Sequence, residues 1–136
     1  KDFDRDTYTC EVRDALIDHE IDLIAMAGFG TILNKPIYDD FSNRILNTHP
    51  SLLPSFPGWH AVEEALEYGV KVTGCTVHIA TEEVDAGPIL AQESIPVLKD
   101  DTKETLHERI KKVERQLYVD TLNKIIATNG QIERDQ

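Results

Sequence analysis

Asn47 and His49 stand two residues apart at the end of the apolar run Ile45-Leu46, directly before Pro50. In an extended segment alternate side chains share a face, so these two project together while Thr48 points the other way. An amide donor is thereby paired with an imidazole that titrates near neutral pH. Pro50 ends the strand by removing a backbone donor, and Pro54 and Pro57-Gly58 keep the next segment a stiff loop. An ordinary buried strand and turn, with both side chains serving local backbone groups, would read the same way over this stretch. A third candidate is Asp85, in the acidic loop Glu82-Glu83-Val84-Asp85-Ala86-Gly87 at the end of a predicted strand. Within reach of His49, its carboxylate would favour the charged imidazole and form an acid–base pair. Local sequence equally allows a turn residue.

The elements that must position these groups alternate in type. A helix is expected over roughly Thr9 to His19, with Cys10, Val12, Ala15, Leu16 and Ile21 marking one side. The run from Ile21 to Ala27 reads as a buried parallel strand stopped by Gly28-Phe29-Gly30. A short helix begins at Asn34-Lys35-Pro36 and leads to the strand ending at His49, which implies a parallel crossover that recurs downstream. His60 to Tyr68 reads as a helix capped by Gly69. The strand from Val72 to Ala80 follows, with Thr76, His78 and Ala80 on one face and Cys75, Val77 and Ile79 on the other. Pro88 to Val97 reads as a further strand. Thr102 opens the longest helix, striped by Leu106, Ile110, Val113, Leu117, Leu122, Ile125 and Ile126 and ended by Asn129-Gly130. The fold class is therefore α/β, a mostly parallel sheet with flanking helices.

With 136 residues, 40% of them hydrophobic, one core and a single domain over 1–136 are expected. The formal charge of -11, from 25 acidic and 14 basic residues, disfavours nucleic acid or an anionic membrane as the main partner. It leaves room for a small anionic substrate held by a few local cations. Cys10 and Cys75 lie in no paired-cysteine motif, so neither a disulfide framework nor a cysteine zinc site is implied, and a reducing cytoplasm fits best. The sequence carries no apolar run long enough to span a bilayer and no secretion-signal pattern at its start.

Several ordered motifs together closely resemble the phosphoribosylglycinamide formyltransferases, folate-dependent enzymes of purine synthesis. They are Asp4-Arg5, Leu23 to Phe29, Asn47-Thr48-His49-Pro50-Ser51-Leu52-Leu53-Pro54, Gly74 to His78, Asp85-Ala86-Gly87-Pro88-Ile89, and Glu114 to Tyr118. The resemblance covers nearly the whole chain and implies a formyltransferase-like, Rossmann-type fold. It further implies transfer of a formyl group from 10-formyltetrahydrofolate, as co-substrate, to the amine of glycinamide ribonucleotide, with no metal. Asn47 and protonated His49 would stabilise the tetrahedral oxyanion, and Asp85 would favour that protonation and assist proton transfer. By the same resemblance, Arg5, Gly30, Thr31, Ile32 and Leu33 are folate contacts, partly through backbone groups. Ala80, Thr81, Glu82, Glu83 and Val84 border the pterin, and Lys111 and Glu114 meet the ribonucleotide. Glu114 read by itself is equally a solvated helix residue.

His78 matches a strand histidine of the family and is expected to support the site rather than act in it. His19 and His107 are read as surface residues, His60 as a helix cap, and Trp59 either as packing over the pocket or, more simply, as an exposed loop aromatic contributing packing. Gly30-Thr31 departs from the Met-Arg pair often seen in the family, so backbone contacts carry that part of the expectation. The family begins with a strand and a glycine-rich phosphate loop, and this sequence starts after that region. The expected fold is thus incomplete at its N-terminus, which leaves a compensating partner such as a homo-oligomer open. Rival readings are a formyltetrahydrofolate deformylase, a methionyl-tRNA formyltransferase, a folate-binding fragment without turnover, and a metal hydrolase using His49, His78 and Asp85. The acidic balance argues against the tRNA enzyme, and no compact ligand motif supports the hydrolase.

Overall fold

The computed structural model describes residues 3–29 and 31–128. In chain order the elements are α1 (Arg5–Asp18), β1 (Ile24–Ala25), α2 (Lys35–Asp40), β2 (Ile45–His49), α3 (Ala61–Tyr68), β3 (Val72–Ile79), β4 (Ile89–Pro96) and α4 (Lys103–Ala127). Gly30 and the expected stop at Asn129-Gly130 lie outside the described residues. Helix α1 begins four residues earlier than apolar spacing suggests, because the Asp4 side chain accepts the Thr7 amide at 3.1 Å and caps it. Its packed side is Tyr8, Thr9, Val12 and Leu16, while Ile21 is exposed. Thr102 and Thr105 cap α4 reciprocally, and Gly69 ends α3 at φ 85°, a left-handed conformation that favours glycine.

The sheet runs β1-β2-β3-β4. β1 and β2 are parallel, Ile24 opposite Ile45, as the strand–helix–strand spacing implies. The other two pairings are antiparallel, Asn47 opposite His78 and His49 opposite Thr76, then Thr76 opposite Gln92. The expectation of a mostly parallel sheet with a recurring crossover is corrected to a mixed sheet. The cause lies between β2 and β3, where residues 50–60 fold back as a loop and α3 has only eight residues, about 12 Å of helix. That brings Val72 in at the end where β2 stops, so β3 runs the opposite way. The loop after Ile79 then joins β3 to β4 as neighbours.

Helix α4 covers the face bearing Leu46, Cys75, Val77 and Ile95 with its buried Leu106, Ile110 and Ile125. Each such aliphatic side chain contributes about 1.5–3 kcal/mol by leaving water. Ile126, expected in this stripe, is 66% exposed; adjacent helical residues point 100° apart, so only one of Ile125 and Ile126 faces the sheet. A second cluster joins α1 and α2 through Leu33, Ile37, Phe41, Ile45 and Ala80.

The opposite face carries Asn47, His49, Thr76 and His78 and is roofed by the loop after His49. The Thr76 hydroxyl donates to Ser51 O at 2.7 Å and accepts from Leu53 N at 3.1 Å. Gln92 donates to Leu53 O at 2.9 Å. Gly74 is required beneath this roof, since a Cβ there would lie 2.0 Å from Glu93 O and 2.9 Å from Leu52 Cδ2.

The start of α4 is tied to the end of β4. Arg109 donates to Asp101 at 2.5 Å and to Pro96 O, and Asp101 also accepts from Leu98 N at 2.7 Å. The Arg109 hydrogen bond is the main cause holding the Asp101 carboxyl down to about 2. A folded-state pKa below the unfolded value stabilises the fold above the ordinary carboxylate range, about pH 3.9. That contribution is lost as pH falls towards 2. Asp101→Asn is therefore expected to lower the urea midpoint at pH 6, with the difference from wild type narrowing steadily as pH falls from about 4 towards 2. A midpoint difference that does not narrow with acid would contradict this role.

Candidate active site

A cavity of about 450 Å³ opens around the C-terminal end of β2. Asn47, His49 and Asp85 all line it, brought together from a strand and from a loop 36 residues further on. Gly87 makes this convergence possible. The loop doubles back so tightly under β3 that a Cβ at Gly87 would lie 1.7 Å from Ile79 O. Asp85, two residues earlier, sits at φ 56°, a conformation in which Asp is tolerated better than most side chains. Its carboxylate accepts Gly58 N at 2.8 Å through Oδ2 and lies 3.5 Å from His49 Nδ1 through Oδ1. The two side chains keep only 10% and 7% exposure. This settles the choice between turn residue and histidine partner: Asp85 is both.

The second ring nitrogen of His49, Nε2, lies 2.8 Å from Phe56 O. Both nitrogens thus face oxygens, and the imidazolium satisfies both as a donor. The loop is held to the pair at two points, Phe56 O on His49 and Gly58 N on Asp85. Ser51, fully buried, donates to Ser55 O at 2.5 Å and fixes the loop from below. The Asn47 carboxamide oxygen accepts the Thr48 amide at 2.9 Å, which assigns the amide and leaves Nδ2 as its donor end.

His78 pairs with Asn47 across the strands and is 2% exposed. Burial pushes its pKa down, so it sits neutral. Its Nε2 is the only buried side-chain nitrogen or oxygen without a hydrogen-bond partner among the described residues. On the α4 side, the Thr48 hydroxyl meets Glu114, whose pKa is raised chiefly by burial and opposed by Thr48, His49 and the neighbouring cations. Tyr118 donates to Met26 O at 2.9 Å and Leu46 O at 3.1 Å, bracing the ends of β1 and β2 where the site begins.

Of the expected folate contacts, Thr31, Ile32 and Leu33 line one wall, and Ala80, Thr81, Glu82 and Val84 another. Arg5 and Glu83 do not line the cavity; Arg5 reaches it indirectly, donating to Ile32 O at 2.6 Å. Lys111 and Glu114 also lie off the lining. Lys111 is 3.1 Å from Glu108, and Glu114 touches the site through Thr48. The reverse holds for His107, expected at the surface but half-buried on the cavity, and for Trp59, which lines the cavity while 70% exposed. Helical spacing was the available signal for His107, since it stands four and seven residues before Lys111 and Glu114. No group of three His, Cys, Asp or Glu side chains gathers to hold a metal among the described residues, and no described helix is long and apolar enough to cross a membrane.

Residues 2–122 match the family described as formyl transferase. Phosphoribosylglycinamide formyltransferase of Mycobacterium tuberculosis is 52% identical over 126 residues, 93% of this chain and 58% of the relative. Its counterpart from Bacillus halodurans superposes with a TM-score of 0.87 at 42% identity, covering 90% of this chain and 63% of that one. A formyltetrahydrofolate deformylase from Pseudomonas syringae is 32% identical with a TM-score of 0.81, over 86% of this chain and 39% of that one. The chain thus spans somewhat over half the length of the first two relatives and less of the third. The extent of the family match, together with the shared fold, shows that this chain belongs to the formyl transferase family.

Proposed function

We propose that this chain carries the site for transferring the formyl group of 10-formyltetrahydrofolate to the amine of glycinamide ribonucleotide. The observation that carries the reading is the convergence of Asn47 Nδ2, His49 and Asp85 on one cavity. Attack of the neutral amine on the formyl carbon places a negative charge on the formyl oxygen. Asn47 Nδ2 and His49 Nε2 supply donors to that oxygen, the latter exchanging Phe56 O for it. Asp85 favours the imidazolium and, directly or through water, takes the proton that the attacking nitrogen must lose; collapse of the oxyanion then breaks the bond from the formyl carbon to the folate nitrogen, which takes up that proton and leaves as tetrahydrofolate. Thr31, Ile32 and Leu33 on one wall and Ala80, Thr81, Glu82 and Val84 on another seat the folate, with Glu83 in the same loop and Arg5 holding the Ile32 carbonyl from behind. Lys111 and Glu114 meet the ribonucleotide from α4. The chain acts as one catalytic domain on small molecules in the cytoplasm, and the charge of -11 disfavours nucleic acid.

The deformylase likeness favours a second reading, in which water replaces the amine. Supplying 10-formyltetrahydrofolate with and without glycinamide ribonucleotide separates the two. Formylglycinamide ribonucleotide as product supports the transfer reading; free formate formed at the same rate with or without the amine overturns it. For Asn47→Ala the expected outcome is a kcat about 10²–10³-fold lower with little change in either KM, because its donor acts on charge present only in the transition state. An unchanged single-turnover rate would reject that assignment.

A further inference from the structure

Besides holding the loop, Ser51 shares an acceptor with His49. The imidazole Nε2 lies 2.8 Å from Phe56 O, and Ser51 Oγ approaches that same oxygen at 3.2 Å while donating to Ser55 O at 2.5 Å. Ser51 is fully buried, so its single hydroxyl proton is left with these two carbonyls. A hydroxyl proton rotates to suit its acceptors, and at rest the nearer one, Ser55 O, takes it. Phe56 sits at φ 51°, a left-handed conformation that most side chains avoid. Its carbonyl is therefore held in place by the donors it meets and not by local preference. When His49 turns its Nε2 donor to the formyl oxygen, Phe56 O loses that donor. Phe56 is half-buried whereas Ser55 is exposed, so water reaches the second residue more readily than the first. A carbonyl left unmet at Phe56 opposes the turn of the imidazole.

We infer that Ser51 is a positioning residue for His49: its hydroxyl moves from Ser55 O to Phe56 O as the imidazole donates to the formyl oxygen, and so lowers the cost of freeing that donor. No covalent bond changes in this step; one hydrogen bond replaces another. It rests on the proposed role of His49 but not on the identity of the nucleophile, because amine and water both create the same oxyanion. The exchange occurs only as that charge develops, so it acts on kcat and not on KM.

The test is a double-mutant cycle of wild type, Ser51→Ala, His49→Ala and the two combined, supplied with 10-formyltetrahydrofolate and glycinamide ribonucleotide. Ser51→Ala alone is expected to lower kcat about tenfold, the scale of one hydrogen bond, with both KM values within about twofold of wild type. In the His49→Ala background the same substitution changes the rate by less than about twofold, because no imidazole donor remains to be freed. A residue that only held the loop would lower the rate equally in both backgrounds, since Gly58 of that loop still carries Asp85. Ser51→Cys, close in size and with a weak S–H donor, is expected to lose only about threefold, and it carries the same cycle if the alanine variant folds poorly. Equal losses in the two backgrounds, an unchanged kcat, or a change confined to KM overturn the inference. The product decides the reading beneath it separately. Formate as the sole product overturns transfer to the amine, and the cycle, read on formate, still decides the role of Ser51. A folded wild-type chain that releases the formyl group to neither amine nor water overturns both.

Discussion

Replacing His49 with alanine is expected to lower formyl transfer by about 10³-fold, the range in which a positioned acid–base group operates. The loss should appear in kcat, because the ring is seated among protein groups, Asp85 on one side and Phe56 O on the other, and in the proposed reaction donates to substrate only as charge develops. The fold should survive. Asp85 keeps its hydrogen bond from Gly58 N, and the loop keeps its anchors on Thr76 and Gln92. Circular dichroism with a single-turnover assay separates the two effects. A variant that turns over within tenfold of wild type would remove His49 from the chemistry, and one that fails to fold would make it a structural residue first.

The second large effect is structural and arises two residues from Asp85. Gly87→Ala would place a methyl carbon 1.7 Å from the Ile79 carbonyl oxygen and 3.2 Å from Thr81 Cγ2. The closest obstacle is backbone at the end of β3, an inner strand of the sheet, which cannot rotate away as a side chain can. The expected cost is about 3 kcal/mol or more in urea denaturation, the upper range of overpacking. Activity should fall further than stability, because any shift that relieves the clash moves Asp85 away from His49. Gly69→Ala is the matched control: it adds strain at φ 85° but meets nothing within 4 Å, and should cost about 1–2 kcal/mol. Equal effects of the two substitutions would show that conformational freedom, and not close approach, explains Gly87.

Period-two alternation made much of this site readable from sequence. It places Asn47 with His49, and His78 with Thr76, on one face and Cys75 with Val77 on the other; that α4 is what covers Cys75 and Val77 is visible only in the structure. Asp85 was harder, because a carboxylate in a Gly-containing turn looks the same whether or not an imidazole lies beyond it. Strand direction was not readable either. Apolar runs separated by helices suggest parallel pairing, and only the shortness of α3 and the backfolded loop reverse β3. Thr76 and Gln92 gave no signal, since their role is to hold the backbone of a loop that is distant in sequence. His107 was misplaced at the surface because an isolated histidine on a charged helix carries no mark of the cavity beneath it; its spacing to Lys111 and Glu114 was the clue.

The fate of the formyl group in a single turnover tests most directly whether these three side chains act on one carbon. Wild type and Asp85→Asn are mixed separately with 10-formyltetrahydrofolate labelled in its formyl group and with glycinamide ribonucleotide, and the label is followed. Label arriving on the ribonucleotide amine in wild type, and slowed by about 10²-fold or more in Asp85→Asn, is the expected result. Label released as formate regardless of the amine, or transferred at the wild-type rate by Asp85→Asn, would contradict it.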